Sequence, residues 1–204
     1  MRIGTRRAIA AGVAVVGSAL LGRALTATPG SRGFFGYTAA VAATWFAGGL
    51  VSGRVARGSR RVLVPVAIGG AAFAAFYAAA LVSRHIPPLD RAIAGVLEYG
   101  EHGAPRLVLL TTLATGAAEE VFFRGALHEL ATPGQTVAVY ALATTPTRNP
   151  ALVLAAIVMG TLFTAQRART GGVQAPLITH LVWSTLMVRY LPPLFERRKR
   201  ATLR

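Results

Sequence analysis

The chain has 204 residues, of which 53% are hydrophobic and only 14% are charged, and its formal net charge is +15. Soluble domains carry about 25% charged residues, so this composition excludes an ordinary soluble domain and indicates a membrane protein. Because the chain contains no cysteine, a disulfide framework, a thiolate nucleophile and a cysteine zinc site are also excluded.

Long neutral runs separate the charged residues along the chain. A helix needs about 17–25 residues to span a bilayer, and most of these runs are near that length. Five such runs contain no charge: residues 33–53, 62–83, 130–147, 149–166 and 170–188. The shorter run 8–22 and the segment 107–130, which carries charges near its end, bring the candidate helices to seven, and an eighth fits within residues 86–99. The sequence therefore predicts an all-α fold, a polytopic membrane helical bundle with about seven to eight transmembrane helices. A single integral membrane domain covering residues 1–204 is the simplest organisation.

The first run allows two interpretations. A basic start, MRIGTRR, followed by a short apolar run is how a secretory signal peptide begins, and residues 24–28 have room for a cleavage site. The alternative is a signal anchor that stays in the membrane. The anchor is favoured because the rest of the chain is itself membrane-embedded.

The basic residues cluster at the ends of the neutral runs, which argues against nucleic-acid binding. Basic residues beside membrane spans set orientation and can bind anionic lipid head groups. The clusters are Arg2, Arg6 and Arg7; Arg54, Arg57, Arg60 and Arg61; and Arg197, Arg198, Lys199, Arg200 and Arg204. The first two predict a cytoplasmic N-terminus, but seven spans would then put the basic tail outside, so one span is miscounted or re-entrant. Because arginine dominates lysine so strongly, we expect a GC-rich bacterial genome. Together with the long apolar runs, this predicts a multi-pass protein of the bacterial inner membrane.

Two adjacent glutamates and an arginine lie inside the run TGAAEEVFFRGAL. A charge at bilayer depth costs at least about 2.5–3.5 kcal/mol, so it must be paired or face a polar cavity. Glu120 and Arg124 are four residues apart and can form an ion pair. Glu119 is rotated by about 100° from Glu120, so it has no partner in its own helix and can act as a base toward water. A purely structural ion pair is an equally good interpretation of the spacing alone.

A histidine lies in the middle of the last neutral run, in GGVQAPLITHLVWSTLM. His180 could be a metal ligand, a proton relay or an interhelical hydrogen-bond donor, and the last role is favoured when the residue is considered alone. Ser184 follows four residues later on the same face.

Together these stretches make the sequence recognisable. EEVFFRG resembles the EExxxR motif of the CPBP family, the CAAX-protease and bacteriocin-processing (Abi-type) intramembrane proteases. The stretch GTLFTAQRARTGGVQAPLITHLVWS is similar to the closing segment of that family. The order and spacing fit a CPBP-like catalytic core over residues 107–187.

The resemblance implies a helical membrane fold with a catalytic cavity inside the bilayer and hydrolysis of a peptide bond. Glu119 would activate water, Glu120 and Arg124 would support the site, and His180 would bind metal or stabilise the oxyanion. The family is described both as zinc metalloproteases and as glutamate-dependent proteases, so zinc held by Glu119 and His180 remains open. The expected partners are membrane lipids and a membrane-associated peptide or lipidated protein substrate.

One motif departs from the family pattern. The family has an aromatic residue and then a histidine four positions later; here Tyr140 matches the aromatic residue but Thr144 replaces the histidine, and Ser184 replaces a common asparagine. Catalytic zinc normally has three protein ligands, so this departure argues against zinc and against ordinary activity.

Three functions follow from these observations. The first is an intramembrane endopeptidase in which Glu119 is the general base. The second is a catalytically impaired relative that binds membrane peptides or gives self-immunity to a bacteriocin. The third is a small transporter or channel in which the buried acids and His180 form a proton path, although the internal repeats of many transporters are absent.

Overall fold

The computed structural model describes residues 1–195 and shows a bundle of helices, with no β-strand in that part of the chain. The basic tail at residues 197–204 lies outside the described residues. The helices are α1 (Ile3–Ala24), α2 (Arg32–Ser52), α3 (Leu63–Ser83), α4 (Pro87–Glu101), α5 (Pro105–Glu119), α6 (Pro133–Thr144), α7 (Pro150–Thr170) and α8 (Gln174–Tyr190). Helix α5 continues without a break into a π-helical segment (Glu120–Leu127) and a final α-helical turn (His128–Leu130). The predicted all-α membrane bundle is therefore confirmed.

Helices form in all eight predicted runs, but they differ in their ability to cross a membrane. Four are long and apolar enough by length and composition: α1, α2, α3 and α7. The run at 130–147 forms only the 12-residue helix α6, which is about 18 Å long and shorter than the roughly 30 Å hydrocarbon core. Helix α8 has 17 residues, and α5 changes its hydrogen-bonding pattern halfway along.

Local sequence signals explain where the two helices around the site begin. Thr132 and Gln135 form a reciprocal capping box at the start of α6. Asn149 caps α7 by accepting hydrogen bonds from the backbone of the first turn, and Gly171 ends α7 with a φ of 74°, a conformation that glycine adopts at little cost. Pro150, at the first helical position of α7, lacks an N–H that would have had no partner within the helix anyway.

Helix α5 lies between α2 and α8, and its apolar side builds the main core with α1 and α2. Trp45 of α2 packs edge-on against Phe123, with ring centroids 5.4 Å apart. Gly17 of α1 lets the Trp45 ring lie against α1, because a Cβ at residue 17 would overlap that ring. Helix α1 contributes Ala10 to the same core.

The loop between α2 and α3 is tied to the start of α8. The amide of Val173 donates to the carbonyl of Ala56 at 2.9 Å, and Arg57 Nε donates to Gln174 Oε1 at 2.7 Å. Arg6 Nε donates to the carbonyl of Ser52 at 2.7 Å. The first two basic clusters therefore lie at the same end of the bundle, as their charge pattern predicts.

Candidate active site

The π-helical segment of α5 carries the predicted charged residues. In this segment the amide of His128 donates to the carbonyl of Phe123, five residues back. The carbonyl of Arg124 instead accepts a hydrogen bond from Arg167 Nε of α7 at 2.8 Å. Segments of this kind are rare and are frequent at functional sites.

Glu120 is completely buried and accepts two hydrogen bonds through one oxygen. Arg124 Nη1 lies 3.3 Å from Glu120 Oε1, which is the ion pair expected from the four-residue spacing. His180 Nδ1 of α8 lies 2.9 Å from the same oxygen. Glu120 therefore links α5 to α8 and is occupied by protein partners.

Arg124 is enclosed by rings and a backbone carbonyl. Its guanidinium carbon lies 4.4 Å from the centroid of the Tyr140 ring and 5.1 Å from that of Phe163, distances at which a cation is attracted to an aromatic face. Arg124 Nη2 also donates to the carbonyl of Gly160 at 3.3 Å. A Cβ on Gly160 would come within 2.9 Å of Tyr140 Cδ1, so the absence of a side chain there lets Tyr140 lie beside Arg124.

Glu119 has a different environment from its neighbour. Its Oε2 accepts a hydrogen bond from the Tyr140 hydroxyl of α6 at 2.6 Å, and the residue is partly exposed, whereas Glu120 has no exposed surface. The partner of Glu119 thus comes from another helix, as its rotation away from Arg124 predicts. Glu120 is therefore buried and bonded to two side chains, whereas Glu119 is partly exposed and bonded to one.

His180 is held by its ring faces and by one nitrogen. The ring stacks on Phe163 with centroids 4.7 Å apart, and Nδ1 is the nitrogen engaged with Glu120. The other nitrogen, Nε2, lies beside α5, where a Cβ on Gly116 would come within 3.2 Å of it. Because a carboxylate at Nδ1 favours a proton on that nitrogen, Nε2 is left for a proton, a ligand or a substrate atom.

The two residues that depart from the family pattern are buried but do not bond to the glutamates. The Thr144 hydroxyl donates to the carbonyl of Tyr140 at 3.0 Å, within its own helix. Ser184 is buried one turn beyond His180.

The side chains near Glu119 do not fit a catalytic zinc ion. Such an ion normally takes three protein ligands and a water, but within residues 1–195 no group of three or more histidine, aspartate or glutamate side chains is arranged to hold a metal. Glu119 and His180 offer two ligands, and Glu120 is engaged by Arg124 and His180.

Sequence reasoning did not identify the residues that enclose the charges. Gly160, Phe163 and Arg167 all lie in α7, an apolar helix with a basic end. They contact Arg124, His180 and the carbonyl of Arg124, respectively. A glycine in the middle of an apolar helix is the one signal that could have pointed to a close approach.

The all-helical bundle with buried charges is that of a multi-pass membrane protein. Residues 102–186 match the family described as Rce1-like, type II CAAX prenyl endopeptidase Rce1-like, which is the CPBP family. The predicted resemblance to this family is therefore confirmed over this segment of the chain. No curated protein and no solved structure matches the chain significantly.

Proposed function

We propose that the protein is an intramembrane endopeptidase in which Glu119 is the general base. The observation that carries the proposal is that the two adjacent glutamates differ in burial and in their hydrogen-bond partners. Glu120 is fully buried and bonded to Arg124 and His180. Glu119 is partly exposed and accepts a single hydrogen bond, from a hydroxyl group. A carboxylate in that position can reach both water and a bound peptide.

The reaction follows general-base hydrolysis. Glu119 removes a proton from a water molecule, and the water oxygen forms a bond to the carbonyl carbon of the peptide. The electron pair of the C=O double bond moves to the carbonyl oxygen, which becomes an oxyanion. When this intermediate collapses, the C–N bond breaks, and the protonated Glu119 returns its proton to the leaving nitrogen.

We propose that His180 stabilises the developing oxyanion through Nε2. Its Nδ1 is fixed by Glu120, so the ring presents Nε2 with little freedom. In this step His180 acts with a proton on both nitrogens, so that Nδ1 donates to Glu120 and Nε2 donates to the oxyanion. A donor that is fixed before the reaction stabilises charge in the transition state without further reorganisation. Arg124 acts indirectly, because it holds Glu120 in place and thereby orients His180. Zinc has no step in this reaction, because the side chains at the site do not offer three ligands.

The surroundings of the site and the family description support one class of substrate. The glutamates lie on a helix that packs against α2 and α8 in an apolar bundle, which supports entry of the scissile bond from the membrane. The matched family is described by its action on CAAX prenyl proteins. We therefore propose a membrane-associated peptide or a lipidated C-terminus as substrate, with membrane lipids around it, and the bacterial inner membrane as the location.

A cleavage assay with one conservative variant tests the proposal. The probe is a farnesylated fluorogenic peptide that ends in cysteine, two aliphatic residues and a variable residue, presented to the protein in proteoliposomes. Glu119→Gln should lower turnover by about 10²–10⁴-fold while the protein remains folded. Glu129→Gln is the matched control, because Glu129 pairs with Arg6 at the partly exposed end of the bundle. Full turnover by Glu119→Gln would exclude the proposed base.

The second candidate function is a non-catalytic relative that binds membrane peptides or gives self-immunity to a bacteriocin. The observation in its favour is that Thr144 replaces the histidine of the family pattern. Its hydroxyl donates to a backbone carbonyl within its own helix and bonds to neither glutamate. In that case the wild-type protein binds the same peptide without cleaving it, and Glu119→Gln leaves binding unchanged. Cleavage by the wild type would remove this candidate.

A further inference from the structure

Tyr140 contacts both Glu119 and Arg124. Its hydroxyl donates to Glu119 Oε2 at 2.6 Å, and the face of its ring lies 4.4 Å from the guanidinium of Arg124. Among the hydrogen bonds of residues 1–195, this is the one that reaches the side chain of Glu119. The hydroxyl is therefore in direct contact with the carboxylate that would act as the base.

The ring of Tyr140 is held on several sides, so the position of its hydroxyl is fixed. The edge of the ring meets Phe123, with centroids 4.8 Å apart and planes inclined by 63°. Gly160 lies so close that a Cβ there would approach the ring to 2.9 Å. A hydroxyl on a ring held in this way keeps its distance to Glu119 while the substrate changes.

The position one turn along α6 does not compete for this role. Thr144 stands where the family pattern has a histidine, and its hydroxyl is bonded to the carbonyl of Tyr140 at 3.0 Å. No histidine occurs between His128 and His180. The donor on α6 that faces the catalytic carboxylate is thus the Tyr140 hydroxyl.

We propose that the Tyr140 hydroxyl is the donor on α6 that acts on the Glu119 carboxylate during catalysis, in a chain where Thr144 replaces the histidine of the family pattern. This inference rests on the proposed function. In the resting enzyme the hydroxyl donates to Glu119 and holds the carboxylate toward the water. Once Glu119 has taken the proton from that water, its oxygen is a weaker acceptor. The hydroxyl then donates to the new oxyanion beside it, without giving up its own proton.

This role requires two features that a structural tyrosine would not need. The hydroxyl must contribute to the transition state more than to substrate binding, so its loss should lower kcat and leave KM nearly unchanged. It must also act on the Glu119 carboxylate itself, which can be observed without substrate. Replacement by phenylalanine isolates the hydroxyl, because the ring that packs against Arg124 and Phe123 is retained.

The experiment compares Tyr140→Phe with Tyr99→Phe. Tyr99 also donates a 2.6 Å hydrogen bond, but to the backbone carbonyl of Leu25 at the other end of the bundle. With the farnesylated peptide, Tyr140→Phe should lose about 10²-fold in kcat, the loss typical of removing one donor to an oxyanion, at unchanged KM. Tyr99→Phe should retain wild-type turnover. In the infrared spectrum, the carboxyl band that disappears in Glu119→Gln should shift in Tyr140→Phe and stay in place in Tyr99→Phe.

Each outcome either supports or overturns the inference. A loss of kcat with a shifted Glu119 band supports it. Unchanged turnover in Tyr140→Phe, with Glu119→Gln inactive, overturns the role of Tyr140 and leaves Glu119 as the base. A loss of kcat without a shift of the band assigns Tyr140 a structural role and also overturns the inference. A wild type that does not cleave the peptide, or a Glu119→Gln variant that cleaves it normally, instead overturns the proposed function, and the inference with it.

Discussion

The two adjacent glutamates should differ sharply in what they contribute to stability. Replacing Glu120 with glutamine removes the negative charge from a buried cluster in which Arg124 and Glu120 have no exposed side-chain surface. Breaking a buried ion pair by removing one partner costs about 3–5 kcal/mol, because the other charge is left uncompensated. Arg124 keeps the carbonyl of Gly160 and the face of Tyr140, and glutamine still has an oxygen that can accept a hydrogen bond. We therefore expect Glu120→Gln to lower the free energy of unfolding by about 3 kcal/mol, the lower end of that range.

The measurement is a titration with sodium dodecyl sulfate in mixed micelles, followed by tryptophan fluorescence. Trp183 is a suitable reporter, because its ring centroid lies 5.9 Å from that of His180. Glu119→Gln should cost less than about 1 kcal/mol, since glutamine retains an acceptor for the Tyr140 hydroxyl. Glu129→Gln, in a partly exposed pair with Arg6, should also cost no more than about 1 kcal/mol. If Glu120→Gln proves as stable as Glu119→Gln, Glu120 does not stabilise the site. The assignment of a structural role to Glu120 and a catalytic role to Glu119 is then wrong.

Two further predictions concern the walls of the site and its metal content. Gly160→Ala should lower stability by about 1–3 kcal/mol and reduce turnover, because its Cβ would press on the Tyr140 ring beside Arg124; Gly70→Ala, with open space around the new Cβ, is the control and should do neither. The protein purified in detergent should contain less than one equivalent of zinc by elemental analysis. One equivalent that disappears in His180→Ala would contradict this expectation and require a third ligand beyond those that the geometry offers.

The fold could be predicted from the sequence where a single physical constraint dominates. Charged residues are costly in lipid, so a long neutral run marks a helix, and each of the five neutral runs contains one. The length of α6 could not be read from the same signal. Its neutral run extends to residue 147, but the helix begins only after its capping box at Thr132 and gives way to a 3₁₀ turn at Thr145–Thr147, where Pro146 cannot continue the ladder. The run remains neutral on both sides of these breaks, so charge does not reveal them.

The candidate site could be predicted from the sequence only where its contacts are local. The Glu120–Arg124 pair follows from a four-residue spacing, and it is present even though the backbone there is π-helical. The contacts that give the two glutamates different environments come from other helices: His180 from α8 to Glu120, and Tyr140 from α6 to Glu119. No periodicity reveals which helices become neighbours of α5.

The angle between successive side chains on a helix nevertheless explains why Glu119 and Glu120, which are chemically identical, can have different roles. Successive residues on a helix point about 100° apart, so two adjacent glutamates cannot face the same partner. In this bundle one direction leads to the buried Arg124 and His180, and the other to a hydroxyl at a partly exposed surface. Glu120→Gln should therefore lower the free energy of unfolding, and Glu119→Gln should lower only turnover. A protein that merely used both acids to stabilise its fold would lose stability in both variants.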